Sequence, residues 1–114
     1  MDGGWASFIL SHYVREKGVF SLPQAIKKMT ADPAAVIGLK DRGILKEGMK
    51  ADINVFCPEK VNELQPLLVN DFPGNAPRYI QKSLGYKATI VNGQINVLDG
   101  ESTNARAGKI LRHH

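Results

Sequence analysis

DRGILKEGMKADINVF, residues 41–56, is the stretch on which the fold turns. Gly43 and Gly48 bracket a short apolar run, a basic turn follows, and Ala51-Asp52 opens a run of alternating character. Ile53 and Val55 fall on one face of that run and Asp52, Asn54 and Phe56 on the other, the period of a strand, which Pro58 then ends. The segment reads as the junction where a helical region hands the chain to a β-sheet.

Upstream, every signal is helical. Trp5, Phe8, Ile9 and Tyr13, with Leu10 and Val14 beside them, recur at spacings of three and four, which predicts a helix over 4–17 stopped at Gly18. Ser21 and Gln24 stand at the spacing of a capping box and Pro23 falls in a first turn, so a second helix is expected over 22–30. Asp32 as cap, Pro33 at the first helical position and Gly38 as terminator predict a third over 33–37.

Downstream, every signal is extended. In KATIVNGQINVLDG, residues 87–100, Asn92-Gly93 separates two β-prone runs, the strongest short hairpin signal because both turn residues must tolerate positive φ. A two-residue turn there pairs Val91 with Gln94, Ile90 with Ile95, Thr89 with Asn96 and Ala88 with Val97, so that Ala88, Ile90, Ile95 and Val97 share one face. VNDFPGNAPRYIQKSLG, residues 69–85, is rich in turn formers and reads as a long loop holding a short strand around 78–81. The expected class is α+β, with a helical segment over 1–39 and a β-rich segment over 40–114.

Composition narrows the function classes. Across 114 residues, 43% are hydrophobic and 23% charged, ordinary values for one globular domain with a single core. The net charge of +4 is spread along the chain without a run of like charges, and the aromatics do not interleave with the basic positions, which argues against nucleic acid. The single cysteine, Cys57, has no partner for an internal disulfide. No signal peptide opens the chain and no apolar run approaches ~18 residues, so neither a membrane span nor export is expected and a cytoplasmic location is the default.

GILKEGMKADINVF, residues 43–56, resembles the segment with which metal-dependent amidohydrolases leave their catalytic barrel for a small β-sandwich. TADPAAVIGL just before it is similar to a helix of the same superfamily, and YVREKGVFSLPQAIKKMT, NDFPGNAPRYIQ, GYKATIVNG and DGESTNARAGKILR resemble the tail of N-acyl-D-amino-acid deacylases (D-aminoacylases). The resemblance implies the last helices of a (β/α)8 barrel followed by the C-terminal share of the sandwich. It implies, for the complete enzyme, zinc that polarises an amide and activates water. The metal ligands would lie on barrel strands this chain does not contain, so the chain alone is expected to bind no zinc and to be inactive. A stand-alone binding or assembly module that keeps the tail without the chemistry is the alternative.

Individual residues are weighed on that background. Asp2, in DGG, is the one weak catalytic candidate, against a loop residue past the last barrel strand. The recurring motif positions are Gly43, Leu45, Gly48, Ala51, Asp52, Asn92 and Gly93, and for Asp52 a hydrogen-bonded anchor is favoured over a general base. His12 reads as a packing residue, Cys57 as an inert small hydrophobe, and Arg78 and Tyr79 as loop residues rather than substrate contacts. His113-His114 on a chain end lacks further ligands for a metal. With sandwich strands and barrel missing, the apolar positions Trp5, Phe8, Ile9 and the hairpin face predict a homo-oligomer, or pairing with the missing catalytic barrel.

Overall fold

The computed structural model describes residues 2–112, Asp2 by its backbone alone; His113-His114 lies outside the described residues. Helices come first: α1 (Trp5–Phe8), which continues as a π-helix over Ile9–Glu16, then α2 (Leu22–Met29) and α3 (Ala31–Val36). The strands follow: β1 (Ile53–Phe56), β2 (Asn62–Glu63), β3 (Leu67–Phe72), β4 (Ala76–Ile80), β5 (Ser83–Leu84), β6 (Tyr86–Val91), β7 (Gln94–Leu98) and β8 (Glu101–Ser102). All pairings are antiparallel, and the class is α+β. The chain divides into two compact units: residues up to Ala25 with Cys57–Gly85, and Ile26–Phe56 with the residues from Tyr86 onward.

In the first unit the opening helix buries Ser7, Leu10 and Ser11, with β2 beside it. Trp5 and Tyr13 face outward, against the expected apolar face. At Tyr13 the reason is the π winding: Lys17 donates to His12 O, five residues back, at 2.9 Å. A periodicity of 3.6 therefore misplaces the side chains along this segment. Arg15 donates from Nη1 to Pro58 O (3.0 Å) and Val61 O (2.8 Å), tying the helix to the turn that precedes β2. Val61 is fully buried in that turn.

The helix starts follow their caps in one case and depart in the other. The Gln24 side chain accepts from the Ser21 N–H at 2.9 Å and Ser21 Oγ from the Gln24 N–H at 3.3 Å, the reciprocal box expected. Helix α3 instead starts two residues early, with Thr30 at the cap position, and the Asp32 carboxylate pairs with Lys27 at 3.0 Å rather than capping. Pro33 still falls within the first turn, where no N–H is required. At the far end Leu39 N–H reaches Ala34 O (2.8 Å) and Gly38 N–H reaches Ala35 O (3.2 Å), a Schellman closure around Gly38.

Residues 67–80, expected largely as loop, form the β3–β4 hairpin of the first unit, paired Leu67 to Ile80, Leu68 to Tyr79 and Val69 to Arg78. Most of its side chains stand exposed on both faces, so no apolar/polar alternation marks it in the sequence. In the second unit the sheet order is β1-β6-β7-β8. The Asn92-Gly93 turn is where it was expected, and Val91–Gln94 and Ile90–Ile95 pair as read from the sequence. A register shift between Thr89 and Ile90 then sets Val97 opposite Thr89 and Leu98 opposite Ala88. A bulge of this kind adds one residue to one strand, and period-2 counting cannot see it.

Candidate functional site

The opening segment does its structural work in the second unit. Gly43 has φ +89°, and a Cβ there would lie 2.8 Å from the Ala34 Cβ and 3.0 Å from Thr30 O, so only glycine lets the chain turn so close beneath α3. Lys50 N–H then donates to Asp41 O at 2.8 Å, closing the loop that carries Leu45 and Gly48; Leu45 is 77% exposed. Ala51 O accepts the Gly93 N–H at 3.0 Å, and Asp52 Oδ1 accepts the Asn92 N–H at 2.9 Å. The motif residues separated by 40 positions in sequence thus meet at the hairpin turn.

Asp52 has a second partner that sequence reasoning missed. Arg42 donates from Nε to Asp52 Oδ2 at 3.1 Å and from Nη1 to Asp41 Oδ1 at 3.2 Å, with its side chain only 16% exposed. Arg42 stood in the sequence as one of several scattered cations, and its only signal was its place directly before the obligatory Gly43. From the hairpin turn the network continues: Asn92 Nδ2 donates to Ala107 O at 2.5 Å, holding down the C-terminal segment. Between these elements lies an open cleft of about 730 Å³, bordered by Arg42, Lys50, Asn92, Arg106, Lys109 and Leu111 among others.

The remaining candidates are not brought together. Asp2 lies in a single 3-10 turn, Asp2–Gly4, in the first unit. His12 stacks on Phe8 (centroids 4.8 Å apart, planes 10° apart), meets the Tyr13 ring edge-on at 5.1 Å and faces Glu16 at 3.2 Å. Cys57 is half-buried and donates its S–H to Glu59 Oε2 at 3.2 Å, which holds the Glu59 carboxyl below the ordinary glutamate range. Among the described residues no three His, Cys, Asp or Glu side chains converge to hold a metal ion. The described residues offer no group that fits the zinc which the resemblance implies for the complete enzyme. No helix among the described residues is long and apolar enough to cross a membrane.

Arg78 and Asp71 form a bidentate pair, at 2.5 and 2.6 Å, with the guanidinium 5.1 Å above the Phe72 ring. The Arg78 hydrogen bonds hold the Asp71 carboxyl below its ordinary value of 3.8. A carboxyl depressed in the folded state contributes stability that is present above 3.8 and is lost as pH falls through the lower folded value. The β3–β4 hairpin is therefore expected to keep its clamp from neutral pH down through the usual carboxylate range. A carboxyl-carbon NMR titration should place the Asp71 midpoint below 3.8, and Arg78→Gln should return it to the ordinary range. An unshifted wild-type midpoint would show the clamp to be open in solution.

Three comparisons with known proteins bear on this arrangement. Residues 1–97 match the family model described as "Amidohydrolase family". The chain is 41% identical over 110 residues to the N-acyl-D-aspartate deacylase of Alcaligenes xylosoxydans xylosoxydans, a match covering 94% of this chain and 20% of that protein. A crystal structure of D-aminoacylase superposes with a TM-score of 0.78 at 30% identity, covering 96% of this chain and 21% of the other. A second D-aminoacylase structure, concerned with the role of that enzyme's binuclear metal centre, superposes with a TM-score of 0.75 at 32% identity over the same shares. The chain spans about a fifth of the length of the relatives it matches.

Proposed function

The chain belongs to the amidohydrolase family, and from that membership we propose that it supplies the C-terminal portion of an enzyme hydrolysing N-acyl-D-amino acids. The overall reaction adds water across the amide and releases a carboxylate and a free D-amino acid. The observation that carries the reading is the 41% identity to an N-acyl-D-aspartate deacylase across 94% of the chain. The motif network supports a scaffolding part in that enzyme: Arg42, Asp52 and Asn92 engage one another, Asp41 and the backbone. Zinc-borne chemistry, in this reading, belongs to residues of the complete enzyme outside this chain.

The exposed apolar side chains fit the same picture. In the second unit Val36 is 86% and Leu45 77% exposed. In the first, Leu68 is 59% and Tyr79 73% exposed. Large apolar side chains at such exposure find cover in a partner surface, which here is the rest of the enzyme or a second copy of the chain.

The test is a chimera in which this chain replaces the matched 110 residues of the N-acyl-D-aspartate deacylase. Release of D-aspartate from N-acetyl-D-aspartate is expected from the chimera, and none from this chain alone at any added zinc concentration. A chimera that melts cooperatively yet releases no amine would sink the reading, as would hydrolysis by the isolated chain.

A further inference from the structure

The cleft under the C-terminal segment has more cationic lining than its own carboxylates neutralise. Its walls come from residues 41–42 and 49–51, from the hairpin turn 92–94 and from residues 106–111, all of the second unit. The outer wall has no regular secondary structure but is pinned. Thr103 Oγ1 donates to Ile95 O at 2.5 Å, and Asn92 Nδ2 holds Ala107 O at 2.5 Å. At about 730 Å³ the cavity falls within the ~300–1,000 Å³ of small-molecule sites.

Among the described residues four cations line it: Arg42, Lys50, Arg106 and Lys109. Asp41 lines it too, and Asp52 stands behind Arg42, but both carboxylates are engaged by that one guanidinium. Lys50, Arg106 and Lys109 form no ion pair among the described residues, whereas Lys27, Arg78 and Lys87 each do. Like charges around one cavity repel, and the repulsion is relieved by an anion seated among them. Among the described residues no aromatic side chain lines the cavity, so they offer nothing for a nucleic-acid base to stack on.

We propose that this cleft binds a compact, multiply charged anion, held by Lys50, Arg106 and Lys109 over an Arg42 fixed in place by its two carboxylates. The charged ends are exposed, so binding is salt-sensitive and weakens severalfold as ionic strength rises from ~0.02 to ~0.2 M.

The experiment titrates the whole chain with tripolyphosphate and, separately, with citrate, following the amide resonances of Gly93 and Gly108. Saturable shifts at those amides are expected for at least one probe. The tighter binder tells whether phosphoryl or carboxylate groups are preferred. Reversing both charges of the outer wall, Arg106→Glu with Lys109→Glu, should raise the Kd at least ~10-fold. The control, Lys17→Glu with Lys60→Glu, makes the same change of net charge at exposed positions of the other unit and should leave the Kd within about twofold. Absence of shifts with both probes overturns the proposal. So does equal weakening by the two double variants, because the attraction would then belong to net charge rather than to the cleft.

Discussion

Gly85→Ala is expected to cost roughly 2–5 kcal/mol, the sum of backbone strain and a clash with no flexible atom to yield. Gly85 has φ +90°, and a Cβ built on it would lie 2.5 Å from both the Cα and N of Val61 and 2.7 Å from Lys60 C. All three are backbone atoms of the turn that is bonded back to Gly85 itself, since Cys57 N–H donates to Gly85 O at 2.8 Å. Val61 is fully buried, so the turn cannot retreat without opening the small core of the first unit. Alanine narrows the unfolded ensemble by only ~0.4–1 kcal/mol of stabilisation, too little to offset the clash. For a chain of this length the melting temperature should fall on the order of 10–25 °C. Gly74→Ala is the control: φ is +71° but nothing lies within 4 Å, so only the strain of roughly 1–2 kcal/mol remains. Equal melting temperatures for the two variants would show that the close approach at Gly85 does not exist in solution.

That glycine is also a feature the sequence alone does not explain. Turns set by their own residues were legible: the Ser21–Gln24 box and the Asn92-Gly93 hairpin carry their chemistry within four residues. Features set by distant partners were not. Gly85 closes the stretch read as loop, and its necessity comes from Val61, 24 positions earlier. The β3–β4 hairpin lacked alternation because most of its residues are exposed on both faces, and its cross-strand clamp is a charge pair, Asp71–Arg78. The π winding and the register shift each displace side chains by about one residue, which a fixed period of 3.6 or 2 cannot register.

The site was legible in halves. Asp52, Asn92 and Gly93 stood out one by one, from a strand entrance and a turn dipeptide. Their meeting depends on the β1–β6 pairing of Ile53 with Ile90, which brings the start of one strand beside the end of the other. Arg42 and the C-terminal segment around Ala107 left no periodic trace, because both are held by individual side-chain bonds rather than by a repeating ladder.

Asp52→Ala is the second large effect expected, roughly 1–3 kcal/mol, because it strands two donors at once. The Asn92 N–H loses its acceptor at 2.9 Å, and the Arg42 Nε loses a carboxylate at 3.1 Å. Arg42 keeps Asp41, and the Asp52 side chain is 36% exposed, so water replaces part of what is lost and the value should fall in the lower half of the range. Asp52→Asn separates the two contributions. Its carbonyl oxygen still accepts from Asn92, while the ion pair is gone, so the cost should be about 0.5–1 kcal/mol. Amide hydrogen exchange reads the difference at the atom concerned: Asn92 should exchange several-fold to tens of times faster in Asp52→Ala and near the wild-type rate in Asp52→Asn. The Gly93 amide, bonded to Ala51 O, should accelerate alongside Asn92 if the turn opens as a unit, since both bonds close the same hairpin end. If Asn92 exchange is unchanged in Asp52→Ala, the carboxylate is not the anchor of the turn, and its pairing with Arg42 alone would have to account for any loss of stability.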